Sequence, residues 1–428
     1  MIAHASSLHT SGGAGNGERL KRVRVLMGMP DRESLGGPAA CEPPFVAELQ
    51  RLGAEVAEET YVYGERLSVT TLRQRVARVV ATARLLRRRL RREQFDVVHL
   101  NTSFDRMALM RDAATIQLLR PATRAKIFLK FHGSDAALFE TKNTALRALV
   151  RFVLARADGI GLLSSEEGEN FTRAGVERSK LFVVKNVVVT VEGVESPSAE
   201  GIESAGAHND ASLNDAVASS SNAAASSSDA AALSSANLRA RLGVDEETPL
   251  LLFIARFIPA KGLTDVLRAC AILRDEGRAF RLLCLGDGEA RAAAEAEAAH
   301  LKLDTRVRFF GYVPEAETAE FYAGSTMLLF PTYHYEGFPM VIFKSIAAGL
   351  PVITTRIRAA ADYLREPDNC LWVEPRNPRM LAAQIARLLD QPDTRAAMRR
   401  HNLALAEAFT AASVAPEYLE IYNRLAAR

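Results

Sequence analysis

From residue 21 the chain alternates between short apolar runs and amphipathic stretches of about 10–20 residues, and this alternation limits the fold more than any other feature. The runs are RVRVLMGMP (22–30), EVAEETYVY (55–63), DVVHLN (96–101), AKIFLKFHG (125–133), GIGLLSS (159–165) and KLFVVKNVV (180–188). Strand, helix, strand at this spacing implies βαβ units and a parallel sheet, and apolar runs of this kind suit strands covered on both faces. The pattern stops near Thr190 and restarts with PLLLFIARF (249–257), FRLLCLGDG (280–288), RVRFFGYV (306–313), TMLLFPT (326–332), PVITT (351–355) and CLWVEP (370–375). A helical tail follows from Asn377, broken near Gln391-Pro392.

Between the two series, residues 204–236 hold 10 Ser and 12 Ala and no aromatic residue. Such a stretch buries too little apolar surface to offset its ordering entropy, so it reads as a flexible insert; a poly-Ala-like helix is the competing reading, weakened by Ser, Asn and Asp. The expected fold class is therefore α/β, two doubly wound Rossmann-like domains facing a central cleft. The expected boundaries are a disordered tail at 1–20, a first domain at 21–190, a flexible insert at 191–236, a second domain at 237–410 and a last helix at 411–428. Ligands in such folds sit at the carboxyl ends of the strands, and with two facing domains the expected site is the cleft.

The four cysteines, Cys41, Cys270, Cys284 and Cys370, lie far apart at no metal-ligand or redox spacing, which fits a reducing cytoplasm. A net charge of +3 argues against a protein built to coat nucleic acid. No apolar run of about 18 residues occurs and the first 20 residues lack an apolar h-region, so any membrane contact is expected to be peripheral.

Three loops of the second half carry candidate chemistry. Arg256 and Lys261 lie at a strand exit before a helix expected from Leu263; two cations and a helix N-terminus make an anion site suited to a diphosphate, or else a pair of solvated charges. Gly286-Asp287-Gly288 follows a strand ending at Leu285 and allows close backbone approach, or is a plain turn. In PTYHYEGFPMVIFKSIAAGLPVITT (331–355), Glu336 precedes Gly337-Phe338-Pro339 and a helix whose first turn suits Pro339 and whose end suits Gly349. Free amides at that helix start can donate to a ligand hydroxyl or phosphate.

Arg256, Lys261-Gly262, Gly286-Asp287-Gly288, Gly311-Tyr312-Val313 and the block from Glu336 to Thr355, in this order and spacing, resemble glycosyltransferase family 4, retaining nucleotide-sugar transferases of GT-B fold. The resemblance implies that Arg256 and Lys261 clasp the donor diphosphate and stabilise the leaving nucleotide without a metal or other cofactor. It implies that Glu336 and the backbone of Gly337, Phe338, Pro339 and Met340 hold the donor sugar, that Gly286, Asp287 and Gly288 line the donor site, and that Tyr312 and Val313 flank the base. In the first half, Gly36 and Gly37 match the family's Gly-rich loop, and FLKFHGSD (128–135) matches a strand ending in His-Gly-x-Asp. His132 would then line the cleft near the anomeric carbon, with Asp135 behind it, while His99 is expected to be structural. Asn186 matches an Asn-Gly-Val-Asp turn whose Gly and Asp are replaced by Val187 and Val189. The first half corresponds to the acceptor-side domain, the second to the nucleotide-sugar domain, and the last helix to one that crosses back.

One position departs from the family. Eight residues after Glu336 the family has a second Glu that accepts from the ribose hydroxyls; here it is Lys344, which has three donors and no acceptor. Either Lys344 contacts the nucleotide as a donor or donor binding is weakened, and Lys344→Glu is expected to preserve or strengthen binding. Three functions stay open: a retaining hexosyltransferase acting on a hydroxyl of a glycan acceptor in cell-surface polysaccharide or lipopolysaccharide synthesis, a sugar-nucleotide epimerase of the same fold, and a non-catalytic nucleotide- or glycan-binding homologue.

The near-neutral total charge hides a local excess. Only 9 of 54 basic residues are lysines, and TLRQRVARVVATARLLRRRLRR (71–92) holds nine arginines around an expected apolar stripe of Leu72, Val76, Val79, Ala83, Leu86 and Leu90. No aromatic residue is there to stack on bases, which disfavours nucleic acid. Members of the resembled family use a basic helix in this domain to sit on anionic lipid. Arg84, Arg87, Arg88 and Arg91 are thus the expected membrane contacts, with a lipid-linked acceptor and a cytoplasmic protein held at the inner membrane. The bland alternative is a solvated basic face.

Overall fold

In the computed structural model, the structure describes residues 22–30, 37–61, 71–189 and 238–428. The expected tail (1–20), the insert (191–236) and Gly36 lie outside the described residues, as do the side chains of Leu72 and Arg75.

All twelve expected strands form. The first series gives β1 (Arg24–Met29), α1 (Gly37–Arg51), β2 (Glu55–Thr60), α2 (Leu72–Arg92), β3 (Val97–Phe104), α3 (Arg106–Leu119), β4 (Lys126–Ser134), α4 (Thr144–Arg156), β5 (Gly159–Leu162), α5 (Ser165–Arg173) and β6 (Leu181–Val183). The second gives β7 (Leu250–Ile254), α6 (Leu263–Asp275), β8 (Arg281–Leu285), α7 (Arg291–His300), β9 (Val307–Gly311), α8 (Ala319–Gly324), β10 (Met327–Phe330), α9 (Met340–Ala347), β11 (Val352–Thr354), α10 (Arg358–Tyr363), β12 (Cys370–Trp372), α11 (Pro378–Asp390), α12 (Pro392–Ala406) and α13 (Ala411–Ala426). The strands pair parallel in two sheets, β2-β1-β3-β4-β5-β6 and β12-β11-β10-β7-β8-β9. Central strands such as β10 are buried along their whole length, as expected for apolar runs with helices on both faces.

Side-chain caps start several helices: Thr71 and Gln74 form a capping box on α2, Asp105 caps α3 and Ser164 caps α5. Gly349, with φ +69°, ends α9 as expected.

Each sheet has its own apolar core, and a third cluster joins the two halves. Phe45 of α1, Val187 and Val188, Phe338, Phe343 and Phe409, and Tyr418 and Tyr422 of α13 all belong to it. In place of the family's turn after Asn186, Val187 and Val188 are buried and the Val188 amide donates to the Phe409 carbonyl at 2.9 Å. The last helix packs on α1 and β3 of the first domain: Tyr422 Oη lies 2.5 Å from His99 Nδ1, and Tyr418 Oη donates to the Lys185 carbonyl at 3.0 Å. His99 is thus structural.

The expected stripe on α2 holds only in its second half. Ala83, Leu86 and Leu90 are buried, but Val76 is 55% exposed; the helix packs chiefly on α3.

Candidate functional site

In the second sheet β7 lies beside β10, where the strand order reverses, so the loops leaving these two strands part to opposite faces and open a crevice. Arg256 and Lys261 come from the first loop and Glu336 from the second. Backbone and side-chain bonds stitch the loops together: the Tyr333 amide donates to the Ala260 carbonyl at 2.9 Å, and Tyr333 Oη donates to the Pro259 carbonyl at 2.8 Å. Gly262 has φ +82°, and a Cβ there would stand 2.5 Å from the Pro331 carbonyl oxygen, so the close loop approach requires glycine twice over. Lys261 is buried, its Nζ paired with the Glu336 carboxylate and 5.5 Å from the Phe330 ring centre. Burial, and then the Arg256 guanidinium, pull its ammonium down to about 7.

The Gly286–Gly288 turn serves this crevice from behind. A Cβ on either glycine would run into the carbonyl oxygen of Ala255 or Phe257, and the Phe257 amide donates to the Asp287 carbonyl at 2.8 Å. The glycines thus let the Arg256 loop pack down. Asp287 is engaged locally: one carboxylate oxygen accepts from the Gly288 amide at 2.7 Å, the other lies 3.0 Å from Arg291. Both contacts, the amide first, hold its carboxyl below the usual range. Tyr312 is 53% exposed beside the crevice, while Val313 packs on the joint core.

In the Glu336 loop, Phe338 is expected to contribute its backbone alone. Its ring is buried and stacks on Phe343 at 3.7 Å between centres, so only its backbone can face a ligand. Pro339 is the N-cap of α9 and Met340 its first residue, one place later than expected. Lys344 is buried and its Nζ pairs with Glu315, on the loop after β9. Burial pulls the Lys344 ammonium down to about 8.

The first domain closes the crevice from the other side. A Cβ on Gly337 would stand 3.0 Å from the His132 carbonyl oxygen, so the loop after Glu336 abuts the end of β4. Asn101 donates to the Gly28 carbonyl at 3.1 Å, which orients its amide so that its oxygen accepts from His132 Nε2–H at 2.9 Å. Burial first, and then Lys130 and His99, hold His132 well below its usual value, hence neutral. Lys130, one turn of the strand back, pairs with Glu42 of α1 at 2.8 Å, and both are buried. Asp135 instead caps a short 3-10 turn through the Ala137 amide at 3.1 Å. Gly37 opens α1.

Two family models match the chain: Glycosyl transferases group 1 over residues 234–403, and Glycosyltransferase Family 4 over residues 45–192. Each falls on one of the two domains just described. The chain belongs to glycosyltransferase family 4. Among curated relatives, the D-inositol 3-phosphate glycosyltransferase of Thermobispora bispora is 32% identical over 203 residues, which cover 44% of this chain and 47% of that protein. The chain thus spans about half the length of the curated relatives it matches. Among solved structures, Anabaena HepE in complex with UDP and glucose superposes with a TM-score of 0.68 over 94% of this chain and 100% of that one, at 17% identity. WaaG, a glycosyltransferase involved in lipopolysaccharide biosynthesis, gives 0.63 over 94% and 99%, at 16% identity. These two likenesses show the GT-B fold.

Arg256, Lys261 and Glu336 thus lie on the two loops of the switch point, and the His132 backbone abuts Gly337, next to Glu336. Sequence reasoning passed over Glu42, Asn101, Glu315, Glu167 and Arg358. The signal available for two of them was a lone lysine inside an apolar run, FLKFHG and VIFKSIAA, since a buried cation demands a carboxylate somewhere. On the family's first-domain helix α2, Arg84, Arg88 and Arg91 are exposed, Arg87 is half-buried, and Arg89 is tied to Glu93 at 2.6 Å. Among the described residues no group of side chains could hold a metal ion, and no helix is long and apolar enough to cross a membrane.

Proposed function

We propose that the protein is a retaining glycosyltransferase that moves a hexose from a nucleotide-diphosphate sugar to a hydroxyl of a glycan acceptor. The observation that carries this reading is the Lys261–Glu336 pair beside Arg256 at the switch point of the second sheet. A donor diphosphate seated there meets the Lys261 ammonium, the Arg256 guanidinium and the amides at the start of α6, three sources of positive potential aimed at the charge that grows on the leaving phosphate. No metal or cofactor is invoked in this scheme. Glu336 and the backbone of Gly337 to Met340 orient the sugar hydroxyls, and neutral His132, its Nε2–H held by Asn101, stands across the cleft. Tyr312 offers an exposed ring to the base. HepE carries UDP and glucose, which supports a nucleotide-sugar donor.

The acceptor is proposed to be lipid-linked, in cell-surface polysaccharide or lipopolysaccharide synthesis, with the protein docked on the cytoplasmic face of the inner membrane. Exposed Arg84, Arg88 and Arg91 share α2 with exposed Val76 and Leu85, and α3, packed beside it, exposes Met107 and Met110. Basic and apolar groups exposed together on two packed helices suit an anionic lipid surface, at about 1 kcal/mol per arginine.

The test is incubation with UDP-, GDP- and ADP-hexoses, with and without glycan acceptors, following released nucleotide and product anomer by NMR. Transfer with the donor's anomeric configuration is expected. An inverted product overturns retention, isomerised sugar formed from donor alone favours an epimerase, and binding without turnover favours a non-catalytic homologue. Reversing Arg87, Arg88 and Arg91 should abolish binding to anionic liposomes; salt-insensitive, unchanged binding overturns the membrane reading.

A further inference from the structure

Arg358 opens α10 in the second domain with φ +35°, a left-handed backbone that strains any residue but glycine. Its side chain is 2% exposed and leaves its own domain. Nη1 lies 3.0 Å from Glu167 Oε1, and Nη2 donates to the Ser134 carbonyl at 2.8 Å. Glu167, on α5 of the first domain, is fully buried and also accepts from Ser134 Oγ at 2.6 Å, Ser164 Oγ at 3.2 Å and the Leu163 amide at 3.1 Å. Ser134 stands two residues beyond His132 on the same strand. Tyr335, the neighbour of Glu336, places its ring 5.4 Å from the guanidinium. A second bond crosses nearby: the Ser165 amide donates to Asp362 Oδ2 at 2.7 Å, and its hydroxyl donates to the other oxygen.

The knot therefore touches both halves of the crevice. From one guanidinium, one arm reaches the strand that carries His132 and one face meets the loop that carries Glu336. A strained residue and two buried charges persist only where the surroundings over-determine them. Separation of the domains would hydrate both charges and dissolve the arrangement, so it belongs to one inter-domain state.

We propose that Arg358 and Glu167 form a closure latch, with Ser165–Asp362 as its second catch, and that Arg358 is a positioning residue which sets the His132 strand against the Glu336 loop. The inference rests on the transferase reading for its catalytic consequence, though not for the latch itself. Closure around the donor excludes water, so a weakened latch lets donor be hydrolysed instead of transferred.

The decisive variant is Arg358→Gly, which removes the guanidinium and suits the left-handed backbone, while Glu167 keeps its bonds from Ser134, Ser164 and the Leu163 amide. Arg358→Lys keeps the charge but loses the two-pronged geometry. Small-angle scattering of the full chain should show Arg358→Gly more extended than the wild type, with Arg358→Lys between them. Kd for the nucleotide should stay within about threefold, while kcat falls by roughly tenfold or more, as expected when reacting groups lose their alignment. The ratio of donor hydrolysis to transfer should rise. Identical scattering curves overturn the latch; an altered curve with unchanged kcat and hydrolysis ratio overturns the positioning role. If the wild type turns over no nucleotide sugar, the transferase reading fails while the scattering comparison still decides the latch.

Discussion

The two walls of the cleft each hold a lysine–glutamate pair, and the pairs are built for different ends. In the first domain Lys130 and Glu42 are 2% and 0% exposed, and the Lys130 Nζ lies 5.6 and 5.2 Å from the ring centres of Phe45 and Tyr418. Three elements, α1, β4 and the crossing helix α13, meet on that one ion pair. In the second domain the Lys261 and Glu336 side chains keep 10% and 19% of their surface, at the mouth of a crevice. A sealed pair is a joint; a pair open to solvent is a cation and a carboxylate held ready for a ligand. Position in the fold, not residue type, separates the two.

The sealed pair should show the largest effect. Glu42→Leu or Lys130→Met alone leaves one uncompensated buried charge, at a cost of about 3–5 kcal/mol in chemical denaturation. The double substitution Glu42→Leu with Lys130→Met should recover most of that loss, since it leaves no buried charge. If the single and double variants unfold alike, the pair is not the joint described here.

The open wall should instead lose activity while keeping its fold. The Arg256 residue is exposed, so Arg256→Ala should shift the melting temperature little and lower kcat/KM by about 10²–10³-fold, the range for one lost charge-stabilising donor. A variant with wild-type kcat/KM would remove Arg256 from the diphosphate site.

A third pair tests whether the family's carboxylate can simply be restored. The sequence alone suggests that Lys344→Glu preserves or strengthens donor binding. With Glu315 against Lys344, that change sets two carboxylates together and should cost about 1–2 kcal/mol of stability, Glu315 being mostly in water. Adding Glu315→Lys should recover the loss. Thermal melts of the wild type and the two variants decide it, and a Lys344→Glu protein as stable as wild type contradicts the pairing.

The fold and half of the site were legible because their determinants are local. Each strand is an apolar run between turn residues, and Arg256, Lys261 and Glu336 sit within a few residues of a strand end. What escaped depends on distant partners: Glu42 meets Lys130 across 88 positions, Glu315 meets Lys344 across 29, and Arg358 meets Glu167 across 191. Local contacts were also unreadable: the Asp287 carboxylate accepts from the Gly288 amide, and the Phe338 ring stacks on Phe343. The exposed start of α2 was hidden too, since periodicity marks a stripe but not how much of it finds a packing partner.

The smallest expected effect reads the open wall through pH. Lys261 falls from 10.5 unfolded to about 7 folded, through burial first and then the neighbouring Arg256 guanidinium. Between those values the unfolded chain holds the proton and the native chain does not, so this residue's share of ligand-free stability rises with pH above 7. Donor binding runs the other way. A diphosphate prefers the ammonium, so above pH 7 binding must take up a proton, and affinity should fall by up to about tenfold per unit. Lys261→Arg carries a guanidinium that stays charged, so its affinity should be flat from pH 7 to 9 even if lower overall. Calorimetric titration with the nucleotide in two buffers of different ionisation enthalpy measures the proton uptake directly. Affinity that does not change from pH 7 to 9 in the wild type would mean that Glu336 keeps Lys261 charged throughout, and that the open wall is as fixed in its charge as the sealed one.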